Sequence, residues 1–267
     1  MLNADAEVIS NLITSLGTTR FGDAIDSLLR PRVKFDMSCG FIFRFNCNAV
    51  LVHNGYNRTV PESTLSAYIR GGYLLDPFYV ACVNDHPAGL WRMSELAPDS
   101  FFSSGFSISK DLHPCVSSEH GTNVEEIGII IPLRPQVSAV YSVMRYRHNG
   151  EFSDEEMEYL SNIKSVIASA FEAHCKISFP QVHSEAVNSG TVLEDAFMDI
   201  LQGQLTDSQR YVSKLILQGH SSSSIAANLG ISEGTVKVHK HNIYQRLEIS
   251  SNAELFRLFI NYLAKTA

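Results

Sequence analysis

The stretch "ISEGTVKVHKHNIYQRL", Ile231 to Leu247, gathers Lys237, His239, Lys240, His241 and Arg246 in a chain whose net charge is -7. Such a basic, imidazole-rich segment in an acidic protein is either a solvated helix face or a helix that enters a DNA major groove. Val236, Ile243 and Leu247 recur at helical intervals and should face a core. Lys237, His241 and Tyr244 then share the opposite face. Lysine meets base acceptors or phosphates, histidine donates to a purine N7, and Val238 beside them packs on a thymine methyl. Ser232 is the expected N-cap. The backbone N–H groups of the first turn, the Thr235 hydroxyl and Lys240 are then on hand for phosphates. Plain solvated surface needs neither an apolar Val238 nor a placed histidine.

Working outward, Ile225, Ala226 and Leu229 line a preceding helix, and Gly230 turns the chain. Two short helices joined through "LGIS" have the form of a helix-turn-helix. Thr206 and Gln209 are spaced to cap an earlier helix with Val212, Leu215 and Ile216 inward and Gly219 at its end. Ser251 and Glu254 open a fourth, with Leu255, Leu258, Phe259 and Tyr262 as its apolar side. From Leu205 onward seven Lys/Arg face four Asp/Glu, a net of +3, which leaves -10 on the rest. A basic module on an acidic body suits nucleic acid.

From Leu205 to Leu255 the chain resembles the DNA-binding domain of LuxR-type regulators, shared with the NarL class of response regulators. The resemblance is carried by Leu205 and Thr206, by Ser221 to Ser224 before Ile225 and Ala226, and by Leu229, Ile231 and Ser232. Thr235, Val236, Lys237 and His239 continue it, and Ala253, Glu254 and Leu255 close it. It implies that Lys237 and Val238 enter the groove, that His241 is a second reader, and that Thr235 and Ser232 hold the backbone. His239 is implied to be structural, and Leu255, Phe259 and Tyr262 to form a dimer contact. Two departures stand out: Ser208 and Gln209 replace the family's Arg-Glu, and Ser222, Ser223 and Ser224 replace its Asn-Lys-Glu. An internal salt bridge and a phosphate-contacting lysine are then missing, which implies weaker nonspecific affinity and more reliance on a dimer.

At 267 residues the chain has room for more than one core. The expected division is a ligand-sensing and dimerisation domain over 1–178, a linker over 179–203 and the helix-turn-helix domain over 204–267. Residues 4 to 30 read as helix with a break near Gly17, and "CGFIFRFN" and "AVLVHNG" as a hairpin turning near Asn46 to Asn48. "PESTLSAYIRGG" reads as a short helix, and Asp76 to about His120 as an irregular, proline- and aromatic-rich stretch. "EIGIIIPL" and "SAVYSVMRY" read as strands, followed by a helix boxed by Ser153 and Glu156. The fold class is therefore an α+β front domain, an antiparallel sheet of about five strands with flanking helices, plus an all-α four-helix tail.

The front domain resembles the autoinducer-binding domain of quorum-sensing regulators and, more loosely, GAF and PAS ligand domains. The points of contact are "YLLDPFY", Trp91 and "GIIIPLRPQVSAVYSVMR". In acyl-homoserine-lactone receptors a tyrosine, a tryptophan and an aspartate hold the ligand's polar end. Asp76 and Trp91 are the equivalents here, with Tyr68 or Tyr73 as the tyrosine and Phe78 among the surrounding aromatics. Trp91 is the only tryptophan, so the family's other one is absent, which points away from a lactone. A polar or cationic head on Asp76 fits instead. The plain alternatives are an Asp-Pro helix cap and a core tryptophan.

Cys39, Cys47, Cys82, Cys115 and Cys175 are odd in number and scattered, which reads as free thiols in a reducing cytoplasm. The N-terminus MLNADAEVIS lacks the marks of a signal peptide, and no apolar stretch approaches the ~20 residues of a membrane span. Asp111, His113, Cys115, Glu119 and His120 cluster, yet fit no common zinc spacing. No catalytic group, metal or cofactor is expected. The expected partners are a double-stranded operator with an inverted repeat, a small organic effector, a second copy of the chain and RNA polymerase, with no membrane. A constitutive dimeric DNA-binding protein and a protein–protein module are the competing classes.

Overall fold

The computed structural model describes residues 2–45, 48–56, 60–103, 124–180 and 203–265. They fall into two compact units, one drawn from 1–59, 81–95 and 123–188, the other from 60–80, 96–122 and 189–267.

The first unit begins with α1 (Leu2–Ser15) and α2 (Phe21–Leu29), separated near Gly17 as the sequence anticipates. Strands β1 (Met37–Arg44) and β2 (Val50–Gly55) form the hairpin. Strands β3 (Gly89–Arg92), β4 (Val124–Arg134) and β5 (Val137–Tyr146) complete one antiparallel sheet, in the order β2-β1-β5-β4-β3. The edge strand β3 lies inside the stretch read from sequence as irregular. Helix α6 (Asp154–Ser178) opens with the expected box: Ser153 Oγ accepts from Glu156 N–H while Glu156 Oε2 accepts from Ser153 N–H.

One sheet face carries Ile42, Ile127, Ile129, Ala139, Tyr141 and Val143, in a core with Ile25 and Leu29 of α2 and Leu160, Ile167 and Phe171 of α6. Glu125 ties its rim, accepting from the Phe152 N–H and pairing with Arg92. A polar knot sits within this core. Ser38 Oγ donates to Asp26 Oδ2 (2.8 Å), Tyr141 OH donates to Asp26 Oδ1, and His53 Nε2 lies 3.0 Å from Ser38 Oγ. Burial pushes the Asp26 carboxyl up, but hydrogen bonds from His53, Tyr141 and Ser38 outweigh it and the net shift is downward. Burial and the neighbouring Asp26 push the Tyr141 phenol well up.

The second unit contains α3 (Glu62–Arg70), α4 (Pro77–Val83, whose last residues belong to the first unit) and a helical tail. A four-residue helix α5 (Met93–Leu96) straddles the next division. The tail comprises α7 (Asp207–Leu217), α8 (Ser222–Leu229), α9 (Glu233–Leu247) and α10 (Asn252–Lys265). Stretches 60–80 and 96–103, assigned from sequence to the front domain, thus share a compact unit with the tail.

Local signals hold in the tail. Thr206 and Gln209 form a capping box, Ser221 caps α8 and Ser232 caps α9. Gly230 takes the left-handed φ of +64° that the turn requires. Val236 and Ile243 are buried, but Leu247 only partly. Gln209, standing where the family carries an acid, still bridges two helices: its Oε1 accepts from Thr206 N–H and from Arg246 Nη1, both at 3.1 Å.

One expectation is corrected. Leu255 and Phe259 are 1% and 3% exposed, because this face of α10 packs against α7 and α3 within the same unit. They build the core and leave no free surface for a partner. Leu258 is the exposed apolar side chain of the expected set, and the side chain of Tyr262 lies outside the described residues.

Candidate nucleic-acid interface and ligand-contact residues

Helix α9 is fixed from below by Val236 and Ile243 and at its start by Ser232, whose Oγ accepts from Thr235 N–H (3.1 Å) and lies 2.9 Å from Thr235 Oγ1. Lys237, Val238 and His241 are exposed, and so are Ser232 and Thr235. Val238 leaves 58% of its surface to solvent, which is unfavourable for an apolar β-branched side chain unless a partner covers it. His239 and Lys240 are half-buried. Burial lowers the Lys240 ammonium pKa, and the ammonium sits 6.0 Å from the centre of the Tyr244 ring. Tyr244 shares the predicted face but is engaged locally, its hydroxyl donating to Asn252 Oδ1. The exposed group on this helix is therefore Lys237, Val238 and His241, with Ser232 and Thr235 at its start.

Four of the five expected ligand residues gather in the second unit. Tyr68, Tyr73, Asp76 and Phe78 are all buried. Asp76 is 3% exposed; its Oδ2 accepts from Tyr68 OH (2.6 Å) and its Oδ1 from Phe78 N–H (2.7 Å). The second bond is that of a cap on α4, the role Asp-Pro commonly plays. Tyr73 packs edge-on against Tyr68 and Tyr79.

Trp91 belongs to the first unit, on β3. Its indole N–H donates to the Pro87 carbonyl (2.9 Å), and its ring meets His86 edge-on. Antiparallel partners share a face, so the register places Trp91, Gly128, Ser142 and Cys39 in one row across β3, β4, β5 and β1. This is the face opposite the core with α2 and α6. Three small residues there are flanked by bulkier rows that include Ile130, Val140 and Phe41 on one side and Met144 and Met37 on the other. Ser142 is 1% exposed, and its buried hydroxyl has no hydrogen-bond partner among the described residues. Sequence reading missed Ser142, since β5 is buried on both faces and shows no alternation that would single it out.

Ser38, His53 and Asp26 are a Ser/His/Asp group, but not a nucleophilic relay. A single ring nitrogen, Nε2, faces both the hydroxyl and the carboxylate, and Ser38 is fully buried. Among the described residues no cluster of His, Cys, Asp or Glu is arranged to hold a metal ion. The Asp111 to His120 group lies outside them. Cys39, Cys82 and Cys175 are buried; Cys47 and Cys115 lie outside the described residues. No described helix is long and apolar enough to cross a membrane.

Residues 203–259 match the family "Bacterial regulatory proteins, luxR family". The tail is a LuxR-family regulatory domain. The chain is a transcriptional regulator, and its relatives are regulators and not enzymes. An HTH-type regulator from the exeN 3′ region of Aeromonas salmonicida is 29% identical over 193 residues, 70% of this chain and 94% of that protein. The response regulator TmoT of Ectopseudomonas mendocina is 43% identical over 54 residues, 20% of this chain and 24% of its own. Among solved structures, the LBD domain of VqsR from Pseudomonas aeruginosa superposes with a TM-score of 0.55 at 18% identity, covering 66% of this chain and 98% of that one. That likeness establishes the α+β fold of the front part.

Proposed function

We propose that this LuxR-family regulator is a cytoplasmic homodimer that reads an inverted-repeat operator with Lys237, Val238 and His241. A small organic ligand held on the sheet controls it, and RNA polymerase is a further partner. The observation that carries the DNA reading is the exposed Lys237–Val238–His241 face on a helix fixed by its own core and cap. A lysine at the start of a recognition helix reaches guanine O6 and N7 or a phosphate, and Val238 gains from a thymine methyl what it loses in water. The ligand reading is supported by the buried, unpartnered Ser142 hydroxyl in the small-residue row that ends at Trp91. A hydroxyl left unpaired in an apolar setting costs free energy that a ligand's polar group offsets. The likeness of the front part to the VqsR LBD domain adds to it.

The test is titration of the full chain against an operator fragment obtained by selection, at fixed salt. Lys237→Ala weakens specific binding by ~1–3 kcal/mol if the lysine contacts a base. Unchanged affinity in a folded K237A chain removes Lys237 from the interface.

A second reading has its own observation. Both Asp76 carboxylate oxygens are engaged within the chain, by Tyr68 and by the Phe78 N–H, so Asp76 serves as a helix cap. If no small molecule accompanies natively purified protein and none shifts its melting, the front part is a dimerisation scaffold.

A further inference from the structure

We propose that residues Asp99 to Phe101 form a clasp that grips the corner between α7 and α8 and takes the place of a DNA phosphate at the start of α8. This rests on the DNA-binding reading above. Three contacts within the second unit define the clasp. Asp99 Oδ1 accepts from the Ser221 N–H at 2.9 Å. The Ser100 N–H donates to the Gly219 carbonyl at 3.1 Å. Phe101 is fully buried and lies so close to Gly219 that a Cβ there would sit 2.6 Å from the Phe101 Cα. Gly219, at a φ of +91°, therefore both ends α7 and admits the clasp. The Ser221 hydroxyl and N–H hold the Asp99 carboxyl below its ordinary range, so it is ionised at neutral pH.

The position gives the contact its meaning. In a helix-turn-helix the first helix of the pair crosses the sugar-phosphate backbone, and the free N–H groups at its start are donors for a phosphate. Here that start is Ser221 and the serines after it, where this chain lacks the family's lysine. A single N–H cannot serve a carboxylate and a phosphate together, and an ionised Asp99 repels the incoming anion. The clasp thus lowers DNA affinity while α9 stays exposed and ready. Its opening is an equilibrium between two states of one unit, which a second signal can bias. The carboxylate is at the surface, so the effect is modest and screened by salt.

The experiment compares the full-length parent, Asp99→Ala and Lys237→Ala on a labelled mixed-sequence duplex over a range of salt concentrations, with circular dichroism to confirm folding. D99A binds roughly three- to tenfold more tightly at low salt, and its salt slope steepens by about one phosphate contact. Amide exchange at Ser221 is slow in the parent and faster in free D99A, and bound duplex slows it in both. Equal affinity of parent and D99A, with K237A weakened, overturns the clasp and leaves the DNA reading standing. Failure of every variant to bind any duplex overturns both.

Discussion

Glu156 shows how one side chain can hold three elements. Its Oε1 accepts from the Lys34 N–H (2.9 Å) and from Arg145 Nη2, and its Oε2 from the Ser153 N–H (2.9 Å). Arg145 is buried, lies over the Phe152 ring at 4.2 Å and donates to the Lys34 and Glu151 carbonyls. Burial pushes the Glu156 carboxyl up, but the Arg145, Lys34 and Ser153 donors overcome it and bring the pKa down to about 2. A depressed carboxylate contributes stability that is complete above its ordinary pKa and is lost as pH falls through the folded value. Glu156→Gln therefore destabilises the fold near neutrality by ~1–2 kcal/mol once solvent screening is allowed for, and the gap from the parent narrows from about pH 4.5 toward pH 2. Urea titrations across that range check it; a gap that does not change with pH refutes the assignment. Ser142 gives an opposite expectation. Replacing an unpaired buried hydroxyl by methyl removes a desolvation cost. Ser142→Ala is then neutral or slightly stabilising in ligand-free protein, yet weakens capture of the retained compound. Loss of stability on this change would mean that the hydroxyl has a partner in solution.

At the scale of elements, α9 separates folding from reading. Ser232 caps the helix, and in the proposed complex it stands where the DNA backbone passes. Ser232→Ala loses the cap and ~1 kcal/mol. Ser232→Asp keeps an acceptor and suits the helix dipole, so stability is held while DNA affinity falls through repulsion of phosphate. Thermal melting and duplex titration of the two variants give this crossed pattern; parallel changes in both measurements would tie Ser232 to folding alone. The tail was readable because caps, turns and helical spacing are short-range: Thr206 with Gln209, Gly230, and Val236 with Ile243 all act within a turn or two. Where a decision depended on distant neighbours, sequence reading fell short. Leu255 and Phe259 form a valid apolar stripe, but whether it meets a second molecule or α7 and α3 is set by tertiary packing. Strand β3 has only four residues, and its evidence is the pairing with β4, not any periodicity of its own.

For the whole molecule, two outcomes follow from the proposed control. The chain sediments as a dimer at micromolar concentration; a monomer with and without operator DNA ends the dimer proposal. A ligand that binds only the folded front part, present at a hundred times its Kd, adds ~2.7 kcal/mol and raises the melting point of that part by ~5–10 °C. Differential scanning of stripped protein with the retained compound restored shows this shift, or its absence favours the scaffold reading.

The strand order carries a consequence for how the protein is made. Strand β1 sits between β2 and β5, and β5 lies far downstream in the chain. A ribosome adding ~5–20 residues per second needs several seconds to deliver β5 after β1 has emerged. Throughout that interval β1, with Phe41, Ile42 and Phe43, offers an open hydrogen-bonding edge to any neighbouring nascent chain. Slow translation or a shortage of chaperones thus lengthens the time in which the chain is open to mispairing, before its sheet has closed.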